Sequence, residues 1–231
     1  MRSFKVEIYA DMVCPWCYVG KRKIESALDY YRQTYIGEKQ PEIQWKPFLL
    51  HAAIPDEGLD RKEYLKHRFP GNANSPEMFA RVEKAGREVG LDYRFDLILR
   101  QSNTVDAHRL IRYAHGHGVV DPVVEGLFKA FFTHGEDVSS PDVLAGIAAR
   151  AGLNASEVKN FLAGEEEVEW VKAEDARAKR RRGVTVAPFI VLNERKGFSA
   201  VQSVESIFRA LEWARRDAAR PKWWPSFLTG R

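Results

Sequence analysis

The chain has 231 residues, 45% of them hydrophobic and 29% charged. That is enough for one large domain or two small ones with a sizeable core, in the balance of an ordinary soluble globular protein. No apolar run is long enough to span a bilayer, a net charge of +4 is too mild to announce a nucleic-acid partner, and only two cysteines, Cys14 and Cys17, are present, which excludes stabilising disulfides elsewhere.

Met1-Arg2-Ser3-Phe4 leads straight into the first predicted strand with no signal peptide, so the expected location is the cytoplasm. Phe4 to Tyr9 alternates apolar and charged residues as in a strand. After Cys14-Pro15-Trp16-Cys17 a helix is predicted, with Ile24, Ala27, Leu28, Tyr31 and Tyr35 on one face. Glu42 to Lys46 alternates again, and strand, helix and strand in this order predict a βαβ unit with a right-handed crossover.

From His51 to about Arg182 no convincing strand is predicted, and Tyr93 to Leu99 is ambiguous. Helices are expected after Ser75-Pro76, over Val105 to Ala114 with an end at Gly116-His117-Gly118, and over Val123 to Phe132. Further helices are expected from Ser140-Pro141 to Gly152, from an Asn154 cap with Glu157 three residues on, and from about Glu165 to Arg182. Pro188 to Leu192 then reads as a strand, Asn193 to Gly197 as a turn and Phe198 to Val201 as its partner strand. Ser203 caps a last helix whose apolar face holds Val204, Ile207, Phe208, Leu211 and Trp213. The expected fold is therefore α/β, with a discontinuous domain of residues 1–50 and 183–220, an inserted helical domain of residues 51–182, and an aromatic tail, 221–231, that either packs back or meets a partner.

The chemistry-bearing stretch is Cys14-Pro15-Trp16-Cys17, where a strand ends and a helix begins. Pro15 suits the first helical turn, since its missing N–H is one the helix leaves unpaired anyway. The unpaired N–H groups of a helix start favour a thiolate at Cys14 and lower its pKa. Cys17 lies about one turn further in, within reach of a disulfide and better shielded. The pair reads first as a redox dithiol; a zinc half-site and two inert core thiols are the alternatives. A structural zinc takes four protein ligands, and the sequence has neither a second Cys-x-x-Cys nor the matching histidine spacing, so no metal site is assigned.

Other positions carry two readings each. Asp11 is either a buried proton acceptor for Cys17 or a surface residue at the strand end. Lys21 reads as a solvated helix residue, and Trp16 and Tyr18 as the exposed rim of the site. Asn103, Thr104 and His108 either line a cleft over the dithiol or form a helix start capped by Asn103, with His108 packed or solvated. His115 and His117 look like a helix end. Lys179-Arg180-Arg181-Arg182 reads as the cationic last turn of a helix, with no aromatic interleaving for nucleic acid. Pro188 can open an internal strand in either isomer.

Together, Cys14 to Cys17 after a first strand, a large helical insertion, and Val186-Ala187-Pro188-Phe189 opening a hairpin resemble the DsbA-like thioredoxin-fold proteins. Within that family the chain looks like the FrnE type, to which Asp11 to Lys21, Asn103 to Leu110 and Ala200 to Ser203 are similar. The resemblance runs from about residue 4 to 217. It implies a thioredoxin-like domain interrupted by helices, a cis Ala187–Pro188 bond facing the dithiol, and an Ala187 backbone that pairs with substrate. It also implies disulfide exchange on a protein or small-thiol substrate, with no required cofactor and glutathione as a redox partner. Isomerases and glutathione transferases of the same superfamily typically carry serine where Cys14 stands. A glutathione-dependent isomerase or transferase is therefore the enzyme-class rival, and a zinc-binding or adaptor protein the non-catalytic one.

Overall fold

The computed structural model describes residues 3–69 and 76–220. Its strands are β1 (Lys5–Ala10), β2 (Glu42–Pro47), β3 (Leu59–Asp60), β4 (Arg100–Gln101), β5 (Phe189–Leu192) and β6 (Lys196–Ser199). Its helices are α1 (Pro15–Thr34), α2 (Arg61–Arg68), α3 (Pro76–Arg87), α4 (Val105–His117), α5 (Val120–His134), α6 (Pro141–Arg150), α7 (Ala155–Ala163), α8 (Val168–Arg181) and α9 (Val204–Ala218). The main sheet has the order β2-β1-β5-β6. β1 and β2 are parallel, joined through α1, whereas β5 runs antiparallel to both β1 and β6. The architecture is the α/β thioredoxin-like one, with the helical region entering between β2 and β5.

β1 is central, and its burial departs from the alternation in its sequence. Val6, Ile8 and Ala10 join the main core, and Tyr9 packs with Phe48, Ala178, Val184 and Val191 on the opposite face. Glu7 is buried there too, ion-paired with Arg182 just beyond α8. The face that alternation assigns to solvent is thus covered, as is usual for a strand flanked by helices on both sides. The cationic end of α8 is drawn into the same packing: Lys179 pairs with Asp175 at 2.8 Å and its ammonium lies 4.6 Å from the Phe48 ring centroid.

Several predicted ends are where capping chemistry puts them. Asn154 accepts from the N–H groups of Ser156 and Glu157 at the start of α7, and Ser203 accepts from Ser206 N at the start of α9. α4 ends at His117 with Gly118 in the left-handed region at φ 72°. Other expectations are corrected. Residues 51–182 contain a two-stranded β3–β4 pair, and Phe95–Leu97, inside the ambiguous stretch, is a 3-10 helix. β6 is Lys196–Ser199, because Asn193 and Glu194, both at positive φ, turn the chain tightly and bring Lys196 opposite Leu192. α8 starts at Val168, three residues later than expected. The cap expected at Ser75 and the aromatic tail lie outside the described residues.

Candidate functional site

The site is built where β1 hands over to α1. Cys14 is the N-cap of α1, in extended backbone with no side-chain capping bond, and Pro15 follows as the first helical residue. Cys14 N donates to Asp11 O at 3.1 Å and Cys17 N to Cys14 O at 2.9 Å, so the backbone closes one tight turn around the pair. Both cysteines are free thiols, with Cys14 4% exposed and Cys17 1% exposed. Burial pushes the Cys17 thiol well above the ordinary thiol range, and hydrogen bonding to Cys14 and the negative charges of Cys14 and Asp11 act in the same direction.

The other wall is the loop before β5. The Ala187–Pro188 bond is cis, and Cys14 Sγ lies 3.8 Å from Ala187 O. Gly20, one turn along α1, lets this loop come close: a Cβ there would sit 2.7 Å from Pro188 Cγ. Tyr93 closes another side by donating its hydroxyl to Pro15 O at 2.6 Å. Neither Gly20 nor Tyr93 stands out in the sequence, since each acts through a partner far along the chain.

Asp11 is the buried alternative, not the surface one, at 1% exposed. Leu50 N donates to its Oδ2 at 2.7 Å. Its Oδ1 has no hydrogen-bond partner and lies 4.0 Å from His108 Nε2, which has none either. Burial raises the Asp11 carboxyl from 3.8 to about 6, against the pull of the Leu50 N–H, and burial lowers His108 to about 3. His108 is therefore a neutral, packed imidazole facing Asp11. Asn103 is elsewhere engaged: its Oδ1 accepts from Val105 N at 2.8 Å, and its Nδ2 donates to Ile54 O at 2.8 Å. Its hydrogen bonds go to the helix start and the 54–56 loop and none to the dithiol, but the N-cap of α4 is Thr104, one residue later than the expected Asn103 cap, and it makes no side-chain capping bond.

One expected rim residue, Tyr18, and the expected solvated Lys21 are corrected. Trp16 is half-buried, but Tyr18 is buried and stacked on Phe128 with centroids 4.9 Å apart, its hydroxyl donating to Glu125 at 2.8 Å. Lys21 is not solvated: it is 1% exposed and paired with Glu25, with Glu125 at 3.0 Å and with Asp121 at 3.4 Å. One turn of helix carries these side chains under α5, while Cys14 faces the Ala187 loop. His115 and His117 do end α4, and His117 Nδ1 lies 2.9 Å from Tyr113 O.

The fold that brings the dithiol and the cis-proline loop together has counterparts among known proteins. A solved structure described as a probable DsbA oxidoreductase from Streptomyces coelicolor is similar over 96% of this chain and 94% of its own, at 26% identity and a TM-score of 0.81. The cytosolic disulfide reductase DsbM from Pseudomonas aeruginosa, solved with GSH, shares the fold over 92% of this chain and 99% of its own, at 15% identity and a TM-score of 0.66. The uncharacterized Bacillus subtilis (strain 168) protein YwbO is 25% identical over 159 residues, 68% of this chain and 70% of that one. Residues 5–212 match a single family description, and that span takes in the dithiol, the helical insertion and the cis-proline loop; the chain belongs to the DSBA-like thioredoxin domain family.

Proposed function

We propose that the protein is a thiol–disulfide oxidoreductase of the FrnE type, working through Cys14 and Cys17 on a protein or small-thiol substrate. The observation that carries this is the placement of Cys14 Sγ 3.8 Å from Ala187 O, at an open helix start, with a second thiol one turn away. Acting as a reductant, the Cys14 thiolate attacks a substrate disulfide. The substrate S–S bond breaks, one substrate sulfur leaves as a thiolate, and the other remains joined to Cys14. Cys17 then gives up its proton and attacks Cys14 Sγ. The mixed disulfide breaks, the second substrate thiol leaves, and two electrons have passed from protein to substrate. The reverse sequence oxidises a substrate dithiol.

Asp11 supports the resolving step. Its carboxyl, raised to about 6, is ionised at neutral pH yet basic enough to accept the Cys17 proton, directly or through one water. The exchange as proposed needs no metal or organic cofactor, and glutathione is the proposed redox partner, in keeping with the GSH-bound structure of the DsbM protein.

The test is a redox titration in glutathione buffers of graded potential, with alkylation of free thiols and intact mass as the readout. A reversible two-electron transition in the wild type, absent from Cys14→Ser and Cys17→Ser, is expected. Cys17→Ser should accumulate a mixed disulfide on Cys14. Turnover that survives Cys17→Ser would favour a glutathione-dependent isomerase or transferase, and stoichiometric metal lost on Cys14→Ser would favour a zinc protein. Either result overturns the dithiol mechanism.

A further inference from the structure

Helix α2 reaches the dithiol through the loop that holds Asp11. Leu50 N is bonded to Asp11, and the next residue, His51, sets its ring 5.2 Å from that of Tyr64 on α2. Arg61, Tyr64, Leu65 and Arg68 fall at i, i+3, i+4 and i+7, so they share the face of α2 turned toward this loop. The Arg61 guanidinium lies 5.5 Å from the Tyr64 ring centroid and donates to Gln101, and Arg68 lies over Phe69. Among the described residues neither arginine has a carboxylate partner. Lys62 and Lys66 extend the cationic surface on the solvent side.

The electrostatics agree with this placement. Burial and the positive charges of Arg68, Arg61 and Lys179 hold His51 down to about 4. Tyr64 is raised by burial, eased by Arg61 and Arg68, and raised further by the charges of Asp11 and Cys14. Tyr64 is thus close enough to the two arginines, to Asp11 and to Cys14 to feel the charge of each, and its ring packs on His51, next to the residue bonded to Asp11.

We propose that the Arg61–Arg68 face of α2 is a docking surface for an acidic polypeptide segment flanking the substrate's reacting cysteine. This deepens the oxidoreductase reading and rests on it. The two arginines are about 10 Å apart along the helix axis at 1.5 Å per residue. An extended peptide covers that span in about three residues, so the surface suits two carboxylates about three positions apart. A single small-molecule carboxylate would leave one arginine unmatched.

The experiment compares kcat/KM for reduction of peptide disulfides of equal length with an acidic, a neutral or a basic flank, alongside glutathione disulfide. The proteins are the full-length wild type, Arg68→Glu and Arg61→Gln. Arg68 is exposed, so its replacement tests the surface without disturbing the fold. The wild type is expected to favour the acidic peptide over the basic one, and high salt is expected to erase that preference. Arg68→Glu should lower the acidic-to-neutral ratio roughly tenfold, an effect on the order of 1.4 kcal/mol, and should raise turnover of the basic peptide. Three results overturn the docking surface alone: a wild type indifferent to flank charge, a ratio that neither substitution moves, or a loss confined to glutathione disulfide. A wild type that neither reduces these disulfides nor, in its oxidised form, oxidises the corresponding dithiols sinks the oxidoreductase reading, and the docking surface with it.

Discussion

Asp11 shows how burial sets the chemistry of a single residue. Two buried polar atoms, Asp11 Oδ1 and His108 Nε2, face each other at 4.0 Å without other partners. The carboxyl is therefore held in a site that resists its charge. A carboxyl whose pKa in the folded protein stands above its unfolded value stabilises the fold fully at low pH, and that contribution is lost as pH rises through the folded value. Here the window runs from 3.8 to about 6, so above about 6 the buried charge costs on the order of 3 kcal/mol. Asp11→Asn is expected to be more stable than the wild type at pH 7, with the gain shrinking to nothing near pH 4, as measured by denaturant unfolding across that range. The same substitution should slow resolution of a preformed Cys14 mixed disulfide, on the order of a hundredfold. A variant that gains stability at neutral pH with resolution unchanged would remove Asp11 from the mechanism while leaving the burial argument intact. The cysteine pair and Pro15 are legible in sequence because their chemistry is local. The state of Asp11 is not, because Leu50, His108 and the helical layer over it are supplied by distant segments.

At the level of elements, helix ends are the readable features. Pro15, Asn154, Ser203 and Gly118 each act on backbone groups within a few residues, so their residue type is sufficient. Helix α2 is the counterexample. It has no buried residue, and Tyr64 and Leu65 alone cannot make an apolar stripe; it is held instead by its Asp60 cap, which accepts from the N–H groups of Lys62 and Glu63. The α1–α5 contact is hidden for a related reason. Tyr18 and Lys21 read as surface residues beside the dithiol, yet both converge, together with Arg22, on Glu125 of α5. Glu125→Ala is expected to cost about 2 kcal/mol, because it removes at once one of the three carboxylates around the buried Lys21 ammonium and the acceptor of the Tyr18 hydroxyl. Chemical denaturation would register this, and a loss below about 0.5 kcal/mol would mean that Glu25 and Asp121 suffice for Lys21.

Across the whole molecule one apolar core joins the two sequence-defined parts. Val6 and Ile8 of β1, Ile24 and Leu28 of α1, Leu110 of α4, Phe128 and Phe131 of α5 and Leu211 of α9 belong to a single cluster of buried side chains. The helical region therefore closes the core of the sheet, and unfolding is expected to be one cooperative transition. Coincident denaturant curves from tryptophan fluorescence and far-ultraviolet circular dichroism would bear this out. Two separated transitions would show instead that residues 51–182 form a unit of their own.

The opening βαβ unit, most of the helices that follow, the closing hairpin, the class of fold and the position of the dithiol follow from information that is local along the chain. Hydrophobic periodicity, capping residues and a Cys-x-x-Cys at a strand-to-helix junction all work within one or two turns of backbone. The burial of β1 on both faces, the ion pairs of Glu7 and Lys21, the raised carboxyl of Asp11 and the approach of Ala187 to Cys14 depend on contacts between residues about a hundred or more positions apart. Those contacts decide solvation, and solvation decides whether a charged side chain is a surface ornament, a structural pin or a proton acceptor.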